Sequence, residues 1–388
     1  MHRRTFLLGA ASATALTATP AAAQQHPHAG PPPAAPSPEP FHKLQGGTPH
    51  HLTPEQEAQR VTSSPAPAGP PGRWIARAAL PLPRSEMAWA TAWDGRMYIV
   101  GGYGEGRVDR AYNHIYDPAQ DLWFTGAPLP RGANHVAVAA DAGRVYALGG
   151  FLEQNRNPDS NAFVYDIAAD RWSPIAPLPR PRGAAAAVAL GGKIYLIGGA
   201  SAPVEERASV GWNEVYDPQS DRWTALKALP GARDHVGCVA HEGRIHVIGG
   251  RFNTFEYNTG LHHIYLPEED TWKERASLPT PRSGHGLVVY RGRIYAMGGE
   301  GGITHKGQIS EARVFGQMES YDAATNSWQS HAPMLTPRHA VGAAVLGDWI
   351  HVAGGGDLPA VNPRGGVSAA RRAAATIARW RGRSSRRQ

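Results

Sequence analysis

The stretch Arg144-Val145-Tyr146-Ala147-Leu148-Gly149-Gly150, followed after a polar loop by Ala162-Phe163-Val164-Tyr165-Asp166 and then Arg171-Trp172, decides the fold. Read at period two it yields strands rather than helices. His135 to Ala140 forms a small apolar strand, and Asp141-Ala142-Gly143-Arg144 is a hairpin turn. Val145 to Leu148 is the next strand and ends at the double glycine. Ala162 to Tyr165 is a third, Asp166 to Asp170 turns, and Arg171-Trp172 opens a fourth.

The same unit recurs along the chain. Double glycines stand at Gly101, Gly149, Gly198, Gly249, Gly298 and Gly354, and tryptophans keep step at Trp74, Trp123, Trp172, Trp223, Trp272 and Trp328. Both marks stretch together where a unit lengthens. A tyrosine precedes the tryptophan by seven residues in five units (Tyr116, Tyr165, Tyr216, Tyr265, Tyr321), and a proline follows it by seven at Pro81, Pro130, Pro179, Pro230 and Pro279, with Leu335 the exception. This lattice, from Arg73 to Gly356, resembles the kelch repeat of β-propellers. The resemblance implies an all-β, six-bladed kelch-type β-propeller. Glycine and alanine suit its crowded centre, while Tyr and Trp fill the wide outer gaps between blades.

The phase of the marks says how the ring closes. Trp74 precedes any double glycine, and Gly354 has no Tyr and Trp after it, so an N-terminal strand is expected to supply the outer strand of the last blade. Closure of this kind removes exposed sheet edges. The position seven before Trp74 is Pro67, in a proline-rich stretch unsuited to an inner strand. The sixth blade therefore lacks its third strand unless residues beyond Gly356 provide one. Residues 357–388 are a basic Ala/Arg-rich tail, read as a frayed tail with a helical segment, a degenerate strand near Ala375 to Trp380, or the product of an altered reading frame.

The amino terminus, residues 1–23, has a charged start, a short apolar run and a small-residue cleavage site after Ala23. Arg3-Arg4-Thr5-Phe6-Leu7 resembles a twin-arginine export signal, which implies a periplasmic or secreted protein. Residues 24–72 form a Pro/Ala/Gly-rich linker too poor in large apolar groups to offset its ordering entropy, and disorder is expected there. No later stretch is apolar for long enough to span a membrane as a helix.

The formal charge of +7 is concentrated at the ends. Without Arg3, Arg4 and the eight arginines of the last 25 residues, positions 24–363 carry −3, which argues against a nucleic-acid surface. The lone Cys238 excludes an intrachain disulfide and sits in the apolar strand Val236-Gly237-Cys238-Val239-Ala240.

Function is expected in the loops on one face, where the connections after each double glycine and between blades emerge together. That face gathers Glu105, Arg107, Glu206, Arg251 and Glu300 among others. A second set stands where the innermost strands begin. Arg182, Arg233, Arg282 and Arg338 each precede their double glycine by 16 residues, and Asp234, His235, His285 and His339 lie beside them. These arginines either bond backbone between blades, as the kelch resemblance implies, or form a cationic ring for carboxylates, sulfates and acidic side chains.

No His/Asp/Glu triplet has metal-ligand spacing, and neither a nucleophile–base pair nor a phosphate loop appears, so neither metal nor cofactor is expected. The leading expectation is a non-catalytic binding propeller for a protein or glycan of the cell envelope. The alternative is a carbohydrate-active enzyme, either a mutarotase-like epimerase or a galactose-oxidase-like oxidase with Cys238 as the crosslinked thiol. The export reading has a direct test. Replacing Arg3 and Arg4 with Lys should hold the precursor in the cytoplasm, because the twin-arginine receptor reads guanidinium pairs; normal processing in a fractionation blot would assign the general route.

Overall fold

A computed structural model describes residues 66–86, 91–104, 108–153, 155–202, 206, 208–253, 257–305, 308–357 and 377–382. The export signal, most of the linker, Glu105 and Arg107 lie outside them. Six four-stranded antiparallel sheets are built from the described residues. Blade two shows the plan, with Ala137–Asp141 innermost, then Arg144–Leu148, Ala162–Asp166 and Arg171–Ile175 at the rim. The inner strand of each blade packs on that of the next, and Gly342–Leu346 of blade six packs on Thr91–Trp93 of blade one. The ring is thereby closed, and the six-bladed β-propeller expected from the repeat is the fold observed.

Residue size sets the radial order. Inner strands such as Ala186–Leu190 and Gly342–Leu346 carry mostly small side chains and line an apolar channel with a cavity of about 340 Å³. Farther out, buried aromatics and aliphatics from adjacent blades interdigitate, as where Tyr195 and Val215 of blade three meet Ile245 and Tyr265 of blade four.

The sequence period has a hydrogen-bonding basis at the rim. In five of the six units the residue four beyond the outer-strand tryptophan is gripped through both backbone groups by the following blade. Ala127, for example, donates its N–H to Asp170 Oδ1 at 2.6 Å and accepts from Trp172 Nε1 at 2.8 Å. Tyr165 donates its hydroxyl to the same Asp170 oxygen at 2.5 Å. The clamp repeats with Asp121, Asp221, Asp270 and Asn326, and the tryptophan half also joins Trp74 to Ala332. Each of these acceptors has φ between 45° and 55°, a left-handed conformation that Asp and Asn tolerate better than most side chains. One position thus demands both an acceptor and that backbone, which explains why Asp or Asn stands five residues after every repeat tyrosine.

Blade six joins the two ends of the described chain. Gly342–Leu346 and Trp349–Ala353 are followed by Ile377–Gly382, and Gly72–Arg77 completes the sheet at the rim. The N-terminal strand therefore closes the ring as expected. The third strand comes from residues 357–388, as the degenerate-strand reading near Ala375 to Trp380 expects and the frayed-tail reading does not, so the blade is complete in four strands and the propeller extends past Gly356. Trp380 pairs with Trp74 and with Ile350, the register that Tyr321 keeps with Trp328 and Ile294 in blade five. A tryptophan has taken the tyrosine slot and is 1 % exposed. Gly72 makes room for it, since a Cβ there would come within 2.3 Å of the indole. Replacing Trp380 with Ala should cost about 3–5 kcal/mol, as for other buried aromatics, read by chemical denaturation; a variant as stable as the parent would remove this strand from the fold's support.

Candidate functional site

At the face where the inner strands begin, six residues encircle the channel mouth. Glu86, His135, Ala184, His235, Gly284 and Ala340, one per blade, all have φ between 49° and 61°. Their backbones are linked around the axis: the N–H of His135 donates to Glu86 O at 2.9 Å, Ala184 to His135 at 3.0 Å, His235 to Ala184 at 2.9 Å, Gly284 to His235 at 3.1 Å and Ala340 to Gly284 at 2.7 Å. A left-handed conformation costs a non-glycine residue about 1–3 kcal/mol and persists only where neighbours impose it; here the five successive hydrogen bonds from blade to blade do so. A second belt lies beside the first. The residue after each double glycine bridges the residue before each belt position, pairing Ser85 with Tyr103, Asn134 with Phe151, Gly183 with Ala200, Asp234 with Arg251, Ser283 with Glu300, and His339 with Gly356.

Most of the charged and imidazole side chains on these belts meet. Glu86 Oε2 lies 2.9 Å from His135 Nε2, and Glu86 Oε1 lies 3.4 Å from His339 Nε2. His339 Nε2 is also 3.6 Å from Glu300 Oε2. Arg251 donates to Glu300 Oε1 at 3.2 Å, to Asp234 Oδ1 at 2.9 Å and to His235 Nε2 at 3.1 Å. The His135 and His235 rings stand edge to face at 4.8 Å, and Phe151 covers His135 from the side. All but Glu86 are buried, and Glu86 is only partly open.

Burial opposes every charge here, and partners decide the outcome. Desolvation alone would raise the Glu86 carboxyl, yet His135 and His339 hold it well below the usual range. Burial would likewise discharge His339, but Glu300 and Glu86 outweigh it and push the imidazole up to about 9. Asp234 is held low, against its burial, by Arg251 and His235. His235 is driven down to about 4 by burial and then by Arg251, so it is neutral at pH 7.

The expected site residues divide sharply. Asp234, His235 and His339 join this cluster. Arg182, Arg233, Arg282 and Arg338 do not, being at most 3 % exposed with their guanidinium groups turned into their own blades. Arg233 donates to Gly249 O at 2.9 Å, Pro230 O at 2.8 Å and Gly231 O at 3.0 Å, and Arg338 to Gly354 O at 3.1 Å. Arg182 pairs with Glu214 at 2.6 Å and Arg282 with Glu319. They are struts that satisfy backbone carbonyls beneath each double glycine, not a cationic ring open to ligand. Arg84, likewise buried, donates to Gly101 O at 2.7 Å. His285 sits one residue beyond its belt position, in the channel wall, where burial and then Arg282 push it down to about 3. Glu206 is exposed on the connection of blade three and has no part in the cluster. Cys238 lines the apolar channel, its thiol pushed up by burial.

Glu86 and His135 are the members that pattern-reading missed. Both stand two residues after the arginine position, but blade two carries Ala133 in place of arginine, and blade one carries Glu where a His was sought.

Comparison with known proteins agrees with this architecture. A family model described as the KLHDC2/KLHL20/DRC7 Kelch-repeats domain matches residues 183–362, and one described as the Kelch motif matches residues 133–179. The chain is 30% identical over 309 residues to Kelch-like protein terF of Aspergillus terreus, covering 74% of this chain and 65% of that protein. It is 43% identical over 178 residues to human Kelch-like protein 35, covering 46% of this chain and 28% of that one. The chain thus spans less than two thirds of the length of either relative. Among solved structures, one titled "Structure of YjhT" superposes with a TM-score of 0.62 at 14% identity, over 72% of this chain and 92% of that one, a likeness of fold alone. Repeat lattice, clamp and matches together make this a kelch-repeat β-propeller, a fold that supports a binding or scaffold role. Among the described residues no helix is long and apolar enough to cross a membrane.

The raised His339 gives the cluster a pH signature. Its folded pKa of about 9 exceeds an unfolded value near 6.5, so its stabilisation is fully present below pH ~6.5 and is lost as pH rises toward 9. In buffer free of divalent cations, the stability gap between wild type and His339→Gln should be widest near pH 6 and should narrow by roughly 3 kcal/mol by pH 9. A gap that stays constant in denaturant titrations across that range would contradict the ion pairing.

Proposed function

We propose that the protein is an exported, non-catalytic binding propeller that takes a protein partner of the cell envelope on its loop face. The observation that carries this reading is the placement of exposed apolar side chains. Five large ones are exposed among the described residues, and three of them, Leu82, Val108 and Leu335, belong to loop-face connections of the adjacent blades six and one. Leu82 and Leu335 lie on the crossings that lead into blades one and six, and Val108 on the connection after Gly101-Gly102. Leu335 is 58 % exposed and stands at the one repeat position where proline is replaced. Exposed aliphatic groups on a rigid ring suit a protein surface, which supplies apolar pockets, better than a sugar. Export rests on the arginine pair and apolar run of residues 1–23. The buried, mutually paired cluster at the mouth weighs for binding over the carbohydrate-active alternative, because its acids and bases already engage one another.

A comparison of wild type with Leu82→Ser/Leu335→Ser tests the reading, using the mature chain to capture cross-linked envelope proteins beside a glycan array. Burying a leucine contributes about 1.5–3 kcal/mol, so the double variant should lose its specific protein partner by tenfold or more with an unchanged melting temperature. Equal capture by both proteins, or binding confined to the glycan array, would refute the protein-partner assignment.

A further inference from the structure

The imidazoles at the channel mouth are oriented in a way that mutual ion pairing does not require. Each ties its Nδ1 to an acceptor on its own blade: His135 to Asn134 Oδ1, His235 to Asp234 Oδ1, and His339 to Gly356 O at 3.2 Å. The Asn134 amide is itself fixed, because its Nδ2 donates to Asp109 Oδ1 at 2.7 Å and to Phe151 O at 3.1 Å, which leaves Oδ1 for the ring. All three Nδ1 atoms therefore carry the proton, and all three Nε2 atoms turn inward. An imidazole Nε2 and a carboxylate oxygen 2.9 Å apart, as at His135 and Glu86, need a proton or a metal cation between them.

We propose that Glu86, His135 and His235 bind a first-row divalent metal ion, zinc by the character of the donors. Their ligand atoms all lie within 4.8 Å of one another, and they project from blades one, two and four off a belt whose backbone is fixed around the axis. Two imidazole nitrogens and a carboxylate oxygen are a common zinc set that leaves one coordination position open. Asn134 and Asp234 hold the rings from behind, the outer-shell arrangement that orients ligating histidines. Charge favours a cation as well, since three carboxylates, Glu86, Asp234 and Glu300, face two positive groups, Arg251 and the raised imidazole of His339. Arg251 gives up His235 Nε2 when the ion enters and stays held by Asp234 and Glu300. Ligands drawn from three blades leave no local spacing in the sequence, so a motif search passes over them.

The test uses the full mature chain, purified without a histidine tag, dialysed against Zn²⁺ and assayed by mass spectrometry, then stripped and titrated with Co²⁺. Wild type should retain one metal equivalent more than His135→Ala/His235→Ala, the linker histidines contributing equally to both. Asp234→Asn should weaken Zn²⁺ affinity by about 10–100-fold. His235→Cys should add a sulfur-to-cobalt charge-transfer band, which arises only if position 235 is a ligand, and this decides the matter should the double variant fail to fold. Equal metal content in wild type and a folded double variant, or no such band in His235→Cys, overturns the site.

Discussion

The propeller depends on one repeated interaction at its rim, the capture of both backbone groups of a single residue by the next blade's aspartate and tryptophan. A blade alone cannot bury the two faces of its sheet, so the clamp must position neighbours before their aromatics can interlock. Because Asp and Trp grip the two backbone groups of one residue and Tyr holds the Asp, their spacing cannot drift. The rim clamp thus fixes the angle at which each sheet meets the next, and the belt of left-handed residues at the mouth fixes it again near the axis.

Between these two constraints lies an abrupt change of chemistry. The channel wall is mostly alanine and valine, while the mouth concentrates carboxylates, imidazoles and a guanidinium within a few residues of it. In such a poorly polarisable setting charge interactions are stronger than in water, and unpaired charges are correspondingly costly. Each cluster member accordingly has at least one partner drawn from another blade or from the neighbouring belt. The buried arginines obey the same rule with backbone carbonyls.

The fold was legible because its marks recur in step: Gly-Gly and Trp report on turn and clamp in all six units, and Tyr on the slot in five. The last strand was obscured because Trp380 occupies a tyrosine slot and lies at the opposite end of the chain from the tryptophan it pairs with. The site was legible only in part. Asp234, His235 and His339 stand beside repeat arginines and were found through them. Glu86 and His135 belong to the same belt, but substitution at its neighbouring positions hid the register. Burial was the information most lacking for Arg182, Arg233, Arg282 and Arg338, since a carbonyl partner leaves no trace in side-chain spacing.

The pairing of Gly72–Arg77 with Ile377–Gly382 has a temporal meaning. The first strand of the ring finds its partner only after five blades and two further strands have been made, and until then Trp74 has no sheet to enter. Contacts this distant in sequence are slow to form and expose strand edges in the interval. Completion of the ring is therefore tied to the synthesis of one short segment: until Ile377–Gly382 has emerged, the first strand has nothing to latch onto.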